Sequence, residues 1–326
     1  MLVSAIVFAP LASTQDPIAP GRISKLPTIG HGSLSGLIAE VKERLPRSGS
    51  EGFVQPSAAE REAFTAAIFT ALNGGWPANA LDALNYETFL LADRNFAQSY
   101  LLIVEKQNNR RGLGTYIFNL RPRRNIALEV PHPLFDLNTP EQAAQIFQEI
   151  GARALFISGT HRCANAALSP CSPAGSSACN EQTRVSDAAH FTQNFFQAAH
   201  QATLNLRAPP VAMSIHGNAV DGLPDVVLSD GTRRSLAESA LVNRLRAALR
   251  ANGASAGSCN LAADGVTQLC GGTNVQGRLS NGSTNACTAE ATGSTGLFLH
   301  IEQHINIRRE PAPLINALKE VFPVGN

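Results

Sequence analysis

Two kinds of pattern alternate along this chain. Uninterrupted apolar runs read as buried strands, and segments with apolar residues every three or four positions read as amphipathic helices. Strand-like runs fall at 87–91, 99–106, 114–120, 125–130, 154–157, 211–215, 225–228 and 296–301. Helical spacing covers 37–44, the stretch from Ser57 to about Leu72, and 138–150, 186–204, 235–251 and 311–321. Ser57-Ala58-Ala59-Glu60 is a capping box, followed by Phe64, Ala67, Ile68 and Leu72 on one stripe and a stop at Asn73-Gly74-Gly75. Asn138-Thr139-Pro140-Glu141 supplies a cap and a first-turn proline for a helix that Gly151 ends. The runs 99–106 and 114–120, joined by a turn at Asn108–Gly112, predict a β-hairpin at the edge of a sheet. Strands alternating with helices of these lengths predict an α/β fold, with a mixed, mostly parallel central sheet and helices on both faces.

The regions outside this alternation divide the chain further. Residues 1–13 are apolar and then turn polar; they read as the remnant of a secretory signal, with an ordinary first strand as the alternative. Residues 14–56, rich in Pro, Gly and Ser, predict a surface wrap, and 57–326 a single α/β domain. Two long loops rich in small polar residues, after Thr160 and over 252–295, carry all six cysteines, three in each. No Cys-x-x-Cys pair is present, so a zinc ribbon is not indicated, and cysteines in such loops suit disulfides in a secreted or periplasmic protein. Three cysteines cannot pair among themselves without a leftover. Either one bridge links the two loops or each loop keeps a free thiol, and the first is favoured. A net charge of +1 gives no electrostatic case for nucleic acid or for anionic membrane. Arg121, Arg123 and Arg124 read as a solvated turn.

Chemistry concentrates at three strand ends. Asn125–Val130 runs into Pro131-His132-Pro133, with Asp136 four residues after the histidine; Val211–Ile215 runs into His216-Gly217; and Leu297–Ile301 runs into Glu302. The carboxyl edge of an open α/β sheet is where ligands bind. A catalytic zinc takes three ligands from His, Asp or Glu and leaves a position open for water, which a nearby carboxylate then deprotonates. His132, Asp136 and His216 supply the ligands and Glu302 the base, while the flanking prolines stiffen the first loop. Each piece alone has a blander reading, since a single histidine beside a strand is more commonly a structural hydrogen-bonding residue; the case lies in the three together. His190 and His200, in the helical stretch 186–204, read as surface residues, and His304 and His31 carry little. No Gly-x-Ser-x-Gly elbow, P-loop or dinucleotide fingerprint is present.

The order of these parts is similar to that of the zinc carboxypeptidase superfamily, and within it to the N-formylglutamate amidohydrolases. The resemblance rests on Val130-Pro131-His132, on an Arg-bearing strand exit at Ala154–Arg162, on Met213-Ser214-Ile215-His216, and on a last strand with Glu302 followed by Asn306, Arg308 and Arg309. It spans residues 125–310 discontinuously. This chain has Asp136 in place of Glu, Ser214 in place of Asp, and cysteine-rich insertions foreign to that family. The resemblance implies a zinc carboxypeptidase-like sheet and hydrolysis of an amide bond in a small acyl-amino acid or peptide bearing a carboxylate. It implies Zn2+ on His132, Asp136 and His216, with Glu302 as base. Arg162 would stabilise the oxyanion or grip a substrate carboxylate. Asn165, His161 and His300 are candidate substrate contacts; His300 shares a strand face with Glu302, whereas His161 and Arg162 point to opposite sides if their strand continues. The alternatives are a non-catalytic secreted binding domain on the same fold and a metal-dependent esterase or phosphoesterase.

Overall fold

The computed structural model describes residues 28–93, 95–171 and 178–324. The apolar start, read above as a signal remnant, lies outside them. The described residues begin with strand β1 (Thr28–Gly32), then helices α1 (Leu34–Glu43), α2 (Ala58–Leu72) and α3 (Ala78–Ala83). An antiparallel run follows: β2 (Tyr86–Asp93), β3 (Gln98–Glu105) and β4 (Thr115–Asn119). Next come β5 (Arg124–Val130), α4 (Thr139–Ile150), β6 (Ala152–Ile157), α5 (Phe195–Leu204), β7 (Val211–Gly217) and β8 (Val226–Ser229). The last elements are α6 (Leu241–Ala251), β9 (Ala256–Ser258), α7 (Val275–Ser280), β10 (Phe298–Gln303), α8 (Ile305–Arg309) and α9 (Ala312–Val321).

Among the described residues the strands form one ten-stranded mixed sheet in the order β1-β2-β3-β4-β6-β5-β7-β10-β8-β9. Its centre is parallel: β6, β5, β7 and β10 lie side by side in one direction, so their carboxyl ends share an edge. Side chains alternate across the sheet. Leu128, Val130, Met213, Ile215, Leu299 and Ile301 enter a core on one face with α1, α4, α6 and α9. Ala127, Phe156 and Tyr116 enter a second core on the other face with α2, α3, α5 and α7. There the Phe64 and Phe195 rings stack at 4.1 Å and join α2 to α5. No helix among the described residues is long and apolar enough to cross a membrane.

Several expectations need correction. The 99–106/114–120 hairpin is not at the edge: β2 and then β1, drawn from the supposed surface wrap, lie outside it. The remainder of the wrap buttresses a loop, with Gly49 N–H donating to Cys163 O, Glu51 N–H to Ala164 O and His161 N–H to Pro46 O (2.9, 2.9 and 3.0 Å). The helix expected over 186–204 starts only at Phe195. Asp187 accepts from Ala189 N–H, and Asn194 caps α5 by accepting from Gln197 N–H, so short polar side chains compete with helical backbone pairing. The helix expected from Ser235 starts at Leu241, because Leu236 N–H pairs with Asn260 O and the Asn243 amide holds the Leu236 and Ala237 carbonyls. Asn138 precedes α4 in the left-handed region (φ 69°) and makes no side-chain cap bond. The last strand runs on to Gln303, which places Glu302 inside it.

The cysteines form Cys163–Cys179, Cys171–Cys287 and Cys259–Cys270, so one bridge does link the two insertions. Three disulfides suit an oxidising compartment.

The capping box forms as the spacing predicts, with Ser57 Oγ accepting from Glu60 N–H and Glu60 Oε2 accepting from Ser57 N–H. Arg111, from the turn between β3 and β4, pairs with Glu60 at 2.5 Å, and that bond above all lowers the Glu60 carboxyl to about 2. A carboxylate depressed in the folded state stabilises above its ordinary value of 4.5, and that contribution is lost as pH falls toward about 2. Urea titrations between these pH values are expected to show a steeper loss of stability in the wild type than in Glu60→Gln. Ser57→Ala is expected to cost about 1 kcal/mol. Parallel pH profiles for wild type and Glu60→Gln would rule out this coupling.

Candidate metal centre

Three neighbouring parallel strands build the site. On β7 and β10 the residues that alternate away from the aliphatic core are Ser214, His216, His300 and Glu302, and register pairs Glu302 with His216 and His300 with Ser214. From the end of β5, a tight turn in which Asp136 N–H donates to His132 O (2.9 Å) folds the carboxylate back over its own histidine. Asp136 Oδ2 then lies 3.2 Å from His132 Nδ1 and 3.4 Å from His216 Nδ1. Donors placed tetrahedrally around zinc at its usual bond lengths are about 3.3 Å apart. His132, Asp136 and His216 are 2, 3 and 4% exposed, so these donors face one another away from bulk water.

The far side of each imidazole is also held. His132 Nε2 lies 3.0 Å from Asp187 Oδ1, and His216 Nε2 lies 2.8 Å from Ser214 Oγ. A carboxylate only accepts, so His132 Nε2 carries the proton and its Nδ1 lone pair points at Asp136. That arrangement requires a proton or a metal ion between the two. A metal-ligating histidine commonly gives its other N–H to a carboxylate or hydroxyl in this way. The donor set, imidazole nitrogen and carboxylate oxygen, fits zinc.

The electrostatics express the same need for positive charge. Burial and the Arg162 charge oppose protonation of His132, but the Asp187 and Asp136 carboxylates outweigh them and raise it. Burial would raise the Asp136 carboxyl, but His132 and His216 hold it far below the usual range. His216 is lowered to about 4, chiefly by burial. Glu302 is pushed up to about 8, first by burial and then by the charge of Asp136. Among the described residues its Oε2 and His300 Nδ1 are buried without a hydrogen-bond partner in ordinary geometry, although the Asn218 side chain lies near Glu302. His300 Nε2 lies 3.8 Å from Glu302 Oε1, its ring is 4.4 Å from that of His216, and burial holds its pKa well below the ordinary value.

The remaining predicted residues are placed unevenly. Arg162 donates from Nε (2.9 Å) and Nη2 (2.6 Å) to Asp187 Oδ2. His161 and Arg162 do not face opposite ways: β6 ends at Ile157, strand alternation no longer applies, and both border Phe135, at 5.6 and 5.2 Å. His161 Nδ1 accepts from Cys163 N–H. Asn165 spends its amide on Phe53, accepting from its N–H and donating to its carbonyl, so it anchors the wrap. Arg308 donates to Leu137 O (2.5 Å) and Asn218 O (3.3 Å), which joins the loops after β5 and β7. Its guanidinium fills the place of a side chain at Gly217, where a Cβ would come within 2.4 Å of it.

Asp187 and His190 were not identified from the sequence. Asp187 is buried at the centre of three contacts, with His132, Arg162 and His190 Nδ1 (3.1 Å). His190 is not a helical surface residue, since its side chain is 13% exposed and bonded at both ring nitrogens. The only hint was the pair Asp187-x-x-His190 itself.

No protein-family model matches this chain, and no curated protein does. Among solved structures it is similar to a bacteriophage poly-gamma-glutamate hydrolase, at 14% identity over 60% of this chain and 82% of that one, with a TM-score of 0.36. It is similar to zinc-free YNDL, at 15% identity over 66% and 89%, TM-score 0.36. It is also similar to N-formylglutamate amidohydrolase from Ralstonia eutropha, at 12% identity over 64% and 97%, TM-score 0.35. At this level of likeness the functional reading rests on the site's own geometry.

His200, expected at the surface, is fully buried. Its Nδ1 lies 2.7 Å from Glu129 Oε1 on β5 and its Nε2 3.0 Å from Ser280 Oγ at the end of α7. The pair ties α5 and α7 to the strand that leads into His132. Removing one partner of a fully buried hydrogen-bonded pair leaves the other's polar atoms unsatisfied, which costs roughly 1–3 kcal/mol. His200→Ala is expected to lose that much stability in denaturant titrations; a loss below about 1 kcal/mol would show that Glu129 does not depend on it.

Proposed function

We propose that this chain is a secreted or periplasmic zinc-dependent hydrolase of amide bonds, acting on a small acyl-amino acid or peptide that bears a carboxylate. The observation that carries the reading is the meeting of His132 Nδ1, His216 Nδ1 and Asp136 Oδ2 at 3.2 and 3.4 Å, with the Glu302 carboxylate on the neighbouring strand. In this reading those three residues hold the ion. When bound, zinc supplies a Lewis acid and brings the acidity of water near neutrality.

The chain's own groups do the rest. Glu302, buried beside the two imidazoles, takes a proton from the attacking water and returns it to the leaving nitrogen as the C–N bond breaks. Arg162, fixed on Asp187 and beside the Phe135 ring, presents positive charge to the developing oxyanion or to the substrate carboxylate. His161 and His300 are the proposed side-chain contacts to substrate. Asn165, already paired with Phe53, is not given that role.

Metal analysis and hydrolysis of a panel of N-acyl amino acids and short peptides test the proposal. Wild type is expected to retain about one zinc per chain, and His132→Ala/His216→Ala to retain none. Glu302→Gln is expected to keep zinc while its turnover falls roughly 10²–10⁴-fold. No zinc after dialysis in the wild type, or unchanged turnover in Glu302→Gln, contradicts the proposal.

A further inference from the structure

The second cysteine-rich insertion enters the site through four consecutive residues. Cys270, bridged to Cys259, is followed by Gly271, Gly272, Thr273 and Asn274, which lead into α7. Gly271 has φ +64°, and a Cβ there would lie 2.6 Å from His300 Cγ, so the backbone of this turn packs flat against that ring. Thr273 Oγ1 is 3.3 Å from His190 Nε2, and Asn274 Nδ2 is 3.5 Å from Ser214 Oγ.

Each of these last two contacts begins a chain that ends on one of the paired imidazoles. Asp187 accepts only, so it takes a hydrogen from His190 Nδ1 and another from His132 Nε2 (3.1 and 3.0 Å). His190 Nε2 is then the lone-pair nitrogen, and the Thr273 hydroxyl donates to it. On the other side, the Asn274 amide donates to Ser214 Oγ, which lies 2.8 Å from His216 Nε2 and accepts its hydrogen when His216 Nδ1 holds an ion. In that state both chains leave the Nδ1 lone pairs of His132 and His216 facing Asp136.

We infer that Thr273 and Asn274 are the positioning residues of the metal centre. The turn closed by Cys259–Cys270 thereby sets the tautomer and aim of both imidazoles at once. This rests on the zinc reading above. The bridge ties the turn to the sheet, since Cys259 follows β9 and its N–H donates to Leu228 O at 2.8 Å. Groups that fix the far nitrogen of a ligating histidine are worth 10–100-fold in metal affinity.

The test is zinc affinity, measured by competition with a chromophoric chelator, with melting of the zinc-free protein measured alongside. Asn274 also caps α7, accepting from Gln276 and Gly277 N–H, so Asn274→Ser is used: serine caps as well but is too short to reach Ser214. Thr273→Val removes only the hydroxyl, and Thr273→Ser retains it. The double variant Thr273→Val/Asn274→Ser is expected to bind zinc about 10–100-fold more weakly with unchanged zinc-free melting, and Thr273→Ser to bind like wild type. Wild-type affinity in the double variant, or weakened binding in Thr273→Ser equal to that in Thr273→Val, overturns the inference and leaves the zinc reading intact. A wild type that binds no zinc overturns both.

Discussion

A carboxylate removed from water has to be met by positive charge, and this site buries Asp136, Asp187 and Glu302 close together. The guanidinium of Arg162 answers Asp187. Among the described residues Asp136 is met directly by two imidazoles, whose Nδ1 atoms lie 3.2 and 3.4 Å from its Oδ2 and reach it through a proton or an ion. Leaving a buried charge without compensation costs several kcal/mol, so positive charge at this meeting point, from a protonated imidazole or from an ion, is what holds Asp136 in place. The upward shift of Glu302 to about 8 has the same origin, since burial and the neighbouring Asp136 both disfavour a further negative charge.

The rest of the architecture serves that point. Parallel pairing of β5, β7 and β10 brings His132, His216 and Glu302 to one edge. The wrap pins the loop that carries Arg162, and Arg308 joins the loops after β5 and β7. The two insertions, linked by Cys171–Cys287, supply the outer half of the site: one carries Asp187 and His190 at its end, the other brings Thr273 against His190 and Asn274 against Ser214. Disulfides here therefore shape the polar surroundings of the candidate metal centre as well as closing loops.

What could be read from the sequence follows from which signals are local. His132, Asp136, His216 and Glu302 stood out because each ends or closes an apolar run, and a parallel sheet gathers such ends automatically. The capping box at Ser57 and Glu60 was legible for the same reason, being complete within four residues. Asp187 and His190 were hidden in a stretch where Phe191, Phe195, Ala198 and Ala202 imitate helical spacing, although only the later part is helix. Thr273 and Asn274 lie in an insertion without periodicity, and their partners are remote in sequence. His200 looked like a helix-surface residue because its partner, Glu129, lies 71 positions away on the hidden face of an apolar strand.

The most direct measurement is X-ray absorption at the zinc edge of the zinc-loaded protein. A shell of nitrogen and oxygen donors at about 2.0–2.1 Å, with the multiple scattering of two imidazoles lost in His132→Ala/His216→Ala, is the predicted result. Sulfur donors at about 2.3 Å, or an imidazole signal that survives the double substitution, would contradict the account.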